Sequence, residues 1–551
     1  MKNNLFQLNM KRFIGNKLYL LSMVTYVCLT IGYLIYVFHR NIAVGDELFL
    51  YVFPLWRTNI MSIYSFTFFA FLTFEFSVNV YSKNLHEIFL CTPKKLNSIC
   101  VNNIGVLTIW NTAYSLLLFL FNCIAFLSLH SYDKKYLIHI FLNIFINIFL
   151  INTFAIIFGQ TVSFFKNRVV SYLIIILFLI TSSQIGESIS GAVVLSTDNR
   201  INPYYIYNLF DIFPPNLKWT PTYAMGFSIL PYRIYLILFW IFVSITIIVI
   251  FLNNKTVSIK AIIPAVLSLV FVISFILPSS KIIMNSAPNN ESMGDQYYYL
   301  SENTEDENAN YHIEKYDMKL KIDKKLNCNV TMYPDRNLSE YSFTLYHGYN
   351  VKKATDQNNN ELKFVQKGDY LTVMCENEII SITIFYSGSG KGFYSNYQGI
   401  YLAGDFPYYP VAGKHQIYTE NYNPTIPENT PHFDISVISN LDIYSNLNRV
   451  DDNCFMGYTQ APCLFAGFLK EKERHNVKIV YPYLYGESDR IDNIFDMIDL
   501  KKCSGKIVFI EPHVNVEFDG VIRNYEDVVL APNFGDLLSN EYFEGEKYDR
   551  D

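Results

Sequence analysis

Charged residues are missing from long stretches of the first half of this 551-residue chain. Four runs contain no Asp, Glu, Lys or Arg: 18–38, 105–129, 136–165 and 234–252. A helix needs about 20 mostly apolar residues to cross roughly 30 Å of hydrocarbon, because lipid satisfies no open backbone group. These absences exclude a water-soluble fold for the first half and predict membrane-spanning helices.

Three further runs bring the expected number of spans to about seven. Residues 61–80 contain one charge, Glu75, whereas 169–184 and 261–277 are short enough to be tilted spans or interfacial helices. Basic loops are retained in the cytoplasm, and the Lys and Arg residues of alternate loops place the N-terminus inside. Seven crossings then deliver everything after Lys281 to the outside of a bacterial membrane, and the whole placement depends on whether 261–277 crosses.

The second half lacks long apolar runs and contains more acidic than basic residues. The formal charge is +10 before Lys281 and −16 from there on, which a net charge of −6 conceals. Period-two alternation in 313–322, 341–346, 370–374 and 379–386 predicts strands. We expect an α-helical polytopic membrane domain (1–280), a flexible linker (281–310), an extracellular mainly-β antiparallel sandwich or saddle (311–480) and a C-terminal α/β extension (481–551) with a helix at 490–500.

Polar side chains within the apolar runs are candidates for an intramembrane path. His139, Asn143 and Asn147 recur every four residues and form one stripe, and Asn111 follows helical spacing in the preceding run. Such groups either hydrogen-bond to neighbouring helices or line a substrate path. Glu75 is a costly intramembrane carboxylate, and it either faces a cavity or partner or reaches the nearby cytoplasmic end.

Complete catalytic motifs are also lacking. The segment 388–392 has a Gly-Lys pair but neither the earlier Gly nor the following Ser or Thr of a phosphate loop. His86-Glu87 is followed by Leu90 where a zinc peptidase has its second His. The remaining histidines have no metal-ligand spacing, so we expect no metal. Because no catalytic motif is complete, we also expect no enzymatic activity and no cofactor, and we expect no nucleic-acid partner. Five cysteines after Lys281, an odd number, argue against a fully paired disulfide framework, and Cys454 with Cys463 is the nearest pair.

The loop after the second run resembles a known coupling element. The stretch Glu87-Ile88-Phe89-Leu90-Cys91-Thr92-Pro93-Lys94-Lys95 is similar to the coupling helix of ABC transporter permeases of the drug and polysaccharide exporter type, although a basic loop on anionic lipid is the alternative. The resemblance implies an ATP-binding cassette subunit and a second permease subunit as partners, with ATP bound by the former. The residues it assigns to ATPase coupling are Lys83, His86, Glu87, Thr92, Pro93, Lys94 and Lys95. The family normally has six spans, so a seventh is an addition.

The second half resembles the N-terminal β domain of the aminopeptidase N family of zinc peptidases. The likeness is carried by short segments such as 341–345, 385–388, 408–410 and 433–437, and the catalytic helix of that family is absent. The two resemblances together imply ATP-driven export of a small hydrophobic or peptide substrate, such as a bacteriocin, or an immunity function. The alternative is a membrane-anchored extracellular binding protein or inactive peptidase-like protein.

Overall fold

The computed structural model describes most of both halves of the chain. The described residues are 2–44, 52–82, 95–129, 133–165, 167–197, 200–201, 203–214, 224–253, 259–277, 298–299, 306–390, 393–418, 422–474, 476–485, 505–511 and 522–531. They form two units by their internal contacts. The helical unit comprises Met1–Leu217 and Ile229–Lys281, and the β unit comprises Lys218–Ser228 and Ile282–Asp551.

The helical unit contains helices at the predicted apolar runs and further helices outside those runs. They are α1 (Lys2–Gly15), α2 (Lys17–Val44), α3 (Phe53–Ser82), α4 (Lys95–Ser128), α5 (Lys134–Ile144), a π-helix (Phe145–Leu150), α6 (Ile151–Val162), α7 (Arg168–Ser182), α8 (Gln184–Ser196), α9 (Tyr204–Phe210), α10 (Pro231–Leu252) and α11 (Ile259–Ile276). Within the described residues, six helical segments are long and apolar enough to cross a membrane, and α5, the π-helix and α6 together form one of them. The number becomes seven if α7 and α8, which meet at a 64° bend, are one broken span.

The bend between α7 and α8 has a local cause. Ser183 is extended, with φ −102° and ψ 175°, and its side chain accepts a hydrogen bond from the Ile185 N–H as the N-cap of α8. A Ser at this position satisfies an open donor of the new helix and so favours a break. The short predicted run at 169–184 therefore ends where the sequence places a cap.

Small residues allow the helices of this unit to pack closely. A Cβ atom on Gly159 of α6 would lie 2.4 Å from the Ala70 carbonyl oxygen of α3. Only glycine fits such a contact between apolar helices, whose association depends on close van der Waals packing. α3 is accordingly central to the unit, with Phe66, Phe69 and Phe74 fully buried.

The β unit is built from short strands in four sheets. The strands are β1 (Ile313–Ile322), β2 (Leu326–Pro334), β3 (Glu340–Thr344), β4 (Tyr349–Asp356), β5 (Lys363–Lys367), β6 (Tyr370–Met374), β7 (Ile382–Gly388), β8 (Ser395–Asn396), β9 (Gly399–Leu402), β10 (Val411–Ala412), β11 (His432–Ile438), β12 (Ile443–Tyr444), β13 (Asn448–Asp451), β14 (Cys454–Tyr458), β15 (Leu464–Ala466), β16 (Leu469–Arg474), β17 (Val477–Pro482), β18 (Ile507–Ile510), β19 (Arg523–Asn524) and β20 (Val528–Ala531). Their orders are β13-β14-β11-β1-β2-β7-β4, β10-β3-β6-β5, β12-β15-β9-β8 and β16-β17-β18-β20-β19.

These elements confirm the coarse prediction of apolar helices followed by a mainly-β domain, with six or seven helical segments of spanning length among the described residues where about seven were predicted. Alternation located β1 and β6 at their observed bounds, since buried and exposed residues alternate along half-buried strands. The prediction of wholly antiparallel pairing is wrong, because β1 pairs with β11, and β18 with both β17 and β20, in parallel. Parallel partners require long connections, and local alternation carries no information about them. The predicted helix at 490–500 lies outside the described residues.

The core of the β unit is rich in tyrosine and extends beyond the predicted domain bounds. Tyr316, Tyr401, Tyr408 and Tyr409 are fully buried. Tyr299, from the predicted linker, and Ala224 and Met225, from the connection between α9 and α10, belong to the same hydrophobic core. All the cysteines that the structure describes are free, including Cys454 and Cys463.

Candidate functional site

The predicted stripe of the fourth apolar run forms a line of hydrogen bonds inside the helical unit. Asn143 Nδ2 lies 3.1 Å from His139 Nε2, and Asn147 Nδ2 donates to Asn143 Oδ1 at 3.3 Å. The same Asn147 amide donates to Asn59 Oδ1 of α3 at 3.2 Å. All four side chains are buried. The structure thus brings three predicted residues together and adds a fourth.

A buried arginine ends this line. Arg233, in the first turn of α10, is 4% exposed, and its Nη1 donates to Asn147 Oδ1 at 3.0 Å. Its Nη2 donates to the Ile212 carbonyl oxygen at 2.9 Å. We call His139, Asn143, Asn147, Asn59 and Arg233 the polar line. It joins α3, the fourth apolar run and α10 through side chains alone.

The backbone of the fourth run changes pitch within the polar line. Asn147 lies in the π-helix Phe145–Leu150, between two α-helical stretches. A π-helical turn inserts an extra residue, and such turns occur frequently at functional sites. Asn147 is also the residue that joins three helices, so the irregular turn coincides with the junction of the site.

Sequence reasoning missed Asn59 and Arg233 for one reason. Both lie just before the apolar windows that were chosen, 61–80 and 234–252. A window drawn to exclude charged residues also leaves out the helix ends next to them, although a polar side chain at a buried helix end can contact neighbouring helices. An arginine in the first turn of an otherwise apolar helix was the available signal.

Asn111 belongs to a different contact. It lies on α4, and its Nδ2 donates to the Phe149 carbonyl oxygen at 3.0 Å and lies 3.3 Å from Thr153 Oγ1. Its Oδ1 accepts from Asn152 Nδ2 at 3.1 Å. These bonds tie α4 to the π-helix and α6, which is what a packing role requires.

Glu75 lies near the other end of α3. Sixteen residues separate it from Asn59 on one continuous helix, which corresponds to about 24 Å. Its carboxylate lies 3.4 Å from Arg168 Nη2 and accepts a short hydrogen bond from the Tyr172 hydroxyl. The Glu75 side chain is 30% exposed. The structure therefore places it in a partly exposed clasp between α3 and α7, away from the polar line.

The predicted coupling loop lies largely outside the described residues. This applies to Lys83, His86, Glu87, Thr92, Pro93 and Lys94. Only the backbone of Lys95 is described, as the first residue of α4. The loop therefore stays a prediction from sequence.

Potential metal ligands are scattered in the described part of the chain. No group of three or more His, Cys, Asp or Glu residues there is placed to hold a metal ion. His347 instead pairs with Asp369, its Nδ1 lying 3.0 Å from Asp369 Oδ1, and stacks on Tyr298. Its surroundings are those of a packed side chain.

Comparisons with known proteins found a likeness only among solved structures. Neither a scan against protein families nor a search of curated proteins gave a match. Among solved structures, the chain is similar to an M1 zinc metallopeptidase from Deinococcus radiodurans, with 13% identity, a TM-score of 0.29 and coverage of 42% of this chain and 61% of that one. It is also similar to leukotriene A4 hydrolase from Saccharomyces cerevisiae, with 11% identity, a TM-score of 0.28 and coverage of 42% of each chain.

The chain thus spans less than two thirds of the length of these structures. Both are enzymes, so the prediction that this chain is not an enzyme is wrong by this comparison and is withdrawn. The comparisons give no support for the predicted permease.

Proposed function

We propose that the chain is the membrane-spanning subunit of an exporter-type ABC transporter that moves a small hydrophobic or peptide substrate. The observation that carries the proposal is the polar line. Burying amides, an imidazole and a guanidinium among apolar helices costs free energy unless every group is paired. Bonds that only hold helices together leave no donor over, whereas the buried Nε–H of Arg233 and Nδ2 of Asn59 have no acceptor among the described residues, which supports a subunit that handles a solute.

Seven crossings are part of the proposal. Lys218–Ser228 precedes α10 and belongs to the same unit as the β strands that follow α11. If α10 crosses the membrane, α11 has to cross back for both segments to lie on one side. The distribution of Lys and Arg supports the outside as that side.

Energy would come from a partner subunit. The resemblance of the stretch from Glu87 to Lys95 to a coupling helix supports docking of an ATP-binding subunit on the cytoplasmic loop. Lys94 and Lys95 would supply positive charge for that contact, and the clasp of Glu75 with Arg168 would fix the end of α3 from which the loop departs.

Co-purification tests the proposal. Tagged protein extracted from native membranes should bring down an ATP-binding subunit, and the double change Lys94→Glu and Lys95→Glu should abolish that association. Lys134→Glu with Lys135→Glu is the matched control, because this basic pair lies at the start of α5, on the opposite predicted side. Absence of an ATP-binding subunit from the wild-type sample, or equal loss in both variants, would favour the anchored binding protein or peptidase-like alternative.

A further inference from the structure

We infer that the junction of Arg233, Asn147 and Asn59 is a binding site for a small oxyanion, the carboxylate or phosphate group of a solute or a lipid. This goes beyond the proposed function, because such a group could bind whether or not the chain transports anything. The three residues come from α10, the π-helix and α3, all in the helical unit.

Hydrogen-bond donors are left over at this junction. A guanidinium has five N–H groups, and Arg233 uses Nη1 and Nη2 on Asn147 and Ile212. Its buried Nε–H has no acceptor among the described residues, and neither does the buried Nδ2 of Asn59. Both residues are less than a tenth exposed.

The side-chain acceptors of the polar line are already engaged. Asn147 Oδ1 accepts from Arg233, Asn59 Oδ1 accepts from Asn147, and Asn143 Oδ1 accepts from Asn147 as well. A buried donor without an acceptor costs about 1–3 kcal/mol. An oxyanion supplies several acceptor atoms together with the negative charge that a buried guanidinium needs.

Asp211 is the acidic group that competes for Arg233. Burial raises its pKa to about 6; attraction to Arg233 and a hydrogen bond from Tyr207 oppose the shift, and repulsion from Glu187 adds to it. Above pH 6 the ionised Asp211 neutralises Arg233, and below pH 6 the neutral acid does not. Binding of an oxyanion should therefore tighten as the pH falls from 7 to 5.

Binding of radiolabelled sulfate to the full-length protein in detergent tests the site, since sulfate keeps its charge across this pH range. We expect saturable binding by the wild type and its loss in Arg233→Gln. Asn59→Leu should weaken sulfate binding about tenfold, because it removes one hydrogen bond to a charged group. Arg168→Gln is the control, because it also removes an arginine from the helical unit, but one that pairs with Glu75 away from the proposed site. It should bind sulfate as tightly as the wild type does.

Equal binding by Arg233→Gln and the wild type, or no saturable binding by the wild type, overturns the inference. If Arg233→Gln does not fold, the test rests on Asn59→Leu. An affinity of Asn59→Leu for sulfate equal to that of the wild type then overturns the inference. Measurements in nanodiscs distinguish the two sources of the anion. If sulfate binds in phosphatidylcholine but not in phosphatidylglycerol, the anion is a lipid headgroup. If sulfate binds in both lipids, the anion is a group of a solute. Failure here leaves the co-purification result unaffected, so the two proposals fail separately.

Discussion

At the residue scale, the β unit contains a buried group of charges whose members are paired with one another. Arg523 Nη1 lies 2.9 Å from Asp405 Oδ2, and Nη2 contacts Glu511. Asp405 and Glu511 are 0% and 1% exposed. Tyr525 donates to Asp405 at 2.6 Å and Tyr401 to Glu511 at 2.5 Å. Removing one member of such a group leaves an uncompensated buried charge.

Arg523→Met should therefore destabilise the β unit strongly. We expect a loss of about 3–5 kcal/mol, because two carboxylates lose their shared counter-ion. Thermal unfolding of the full chain in detergent, followed by the near-ultraviolet circular dichroism of the buried tyrosines, measures it. Arg449→Met is the matched control: Arg449 is exposed, and its loss should cost less than about 0.5 kcal/mol.

The loss in unfolding free energy caused by Arg523→Met should be smaller at low pH than at high pH. Burial raises the pKa of Glu511, while Arg523 and Tyr401 oppose that shift. A raised carboxyl pKa adds stability below the unfolded pKa and loses it as the pH rises through the folded pKa. Without Arg523 the pKa rises further, so the variant should be closer to the wild type at pH 5 than at pH 8. A deficit independent of pH would mean that Glu511 stays ionised or is not the group left unpaired.

At the element scale, the sequence predicted what repeats locally and missed what depends on distant partners. The apolar runs predicted α2 to α7, α10 and α11 because span length and hydrophobicity are properties of one segment. The π-helix, the parallel pairing of β1 with β11 and the inclusion of Arg233 in the site depend on neighbours far away in sequence. Three of the five residues of the polar line were visible as a four-residue repeat, and the other two, Asn59 and Arg233, lay just before the apolar windows.

The pairing of α10 with α11 carries a topological prediction. A phosphatase fused after Asp551 should be active outside a bacterial cell, and a fluorescent protein fused there should stay dark. The same reporters fused after Asn253, the C-cap of α10, should behave in the opposite way, because one fewer crossing precedes them. Fluorescence from the fusion after Asp551 would mean that α11 does not cross.

At the scale of the whole molecule, the segment Lys218–Ser228 belongs to the β unit although it lies between two parts of the helical unit in sequence. Ala224 and Met225 are 1% and 2% exposed and lie in the β core. The Ala224 carbonyl oxygen accepts from the Phe468 N–H at 2.6 Å. A Cβ atom on Gly399 would lie 2.3 Å from Met225 Cγ, so a larger residue there would force the Met225 side chain to move. The β unit is thus completed by a segment that precedes it by two helices.

Met225→Ala should consequently destabilise the β unit although it lies outside the predicted β domain. Truncating a buried methionine removes apolar contacts and leaves a cavity, at a cost of about 2–5 kcal/mol. Ile201→Ala is the control, because Ile201 lies in the preceding connection, between α8 and α9, but is 57% exposed. Thermal unfolding of both full-length variants, read from the tyrosine circular dichroism, should show a lower midpoint for Met225→Ala alone. Equal midpoints would mean that Met225 does not stabilise the β core. The inference that α10 and α11 cross the membrane as a pair would then lose its support.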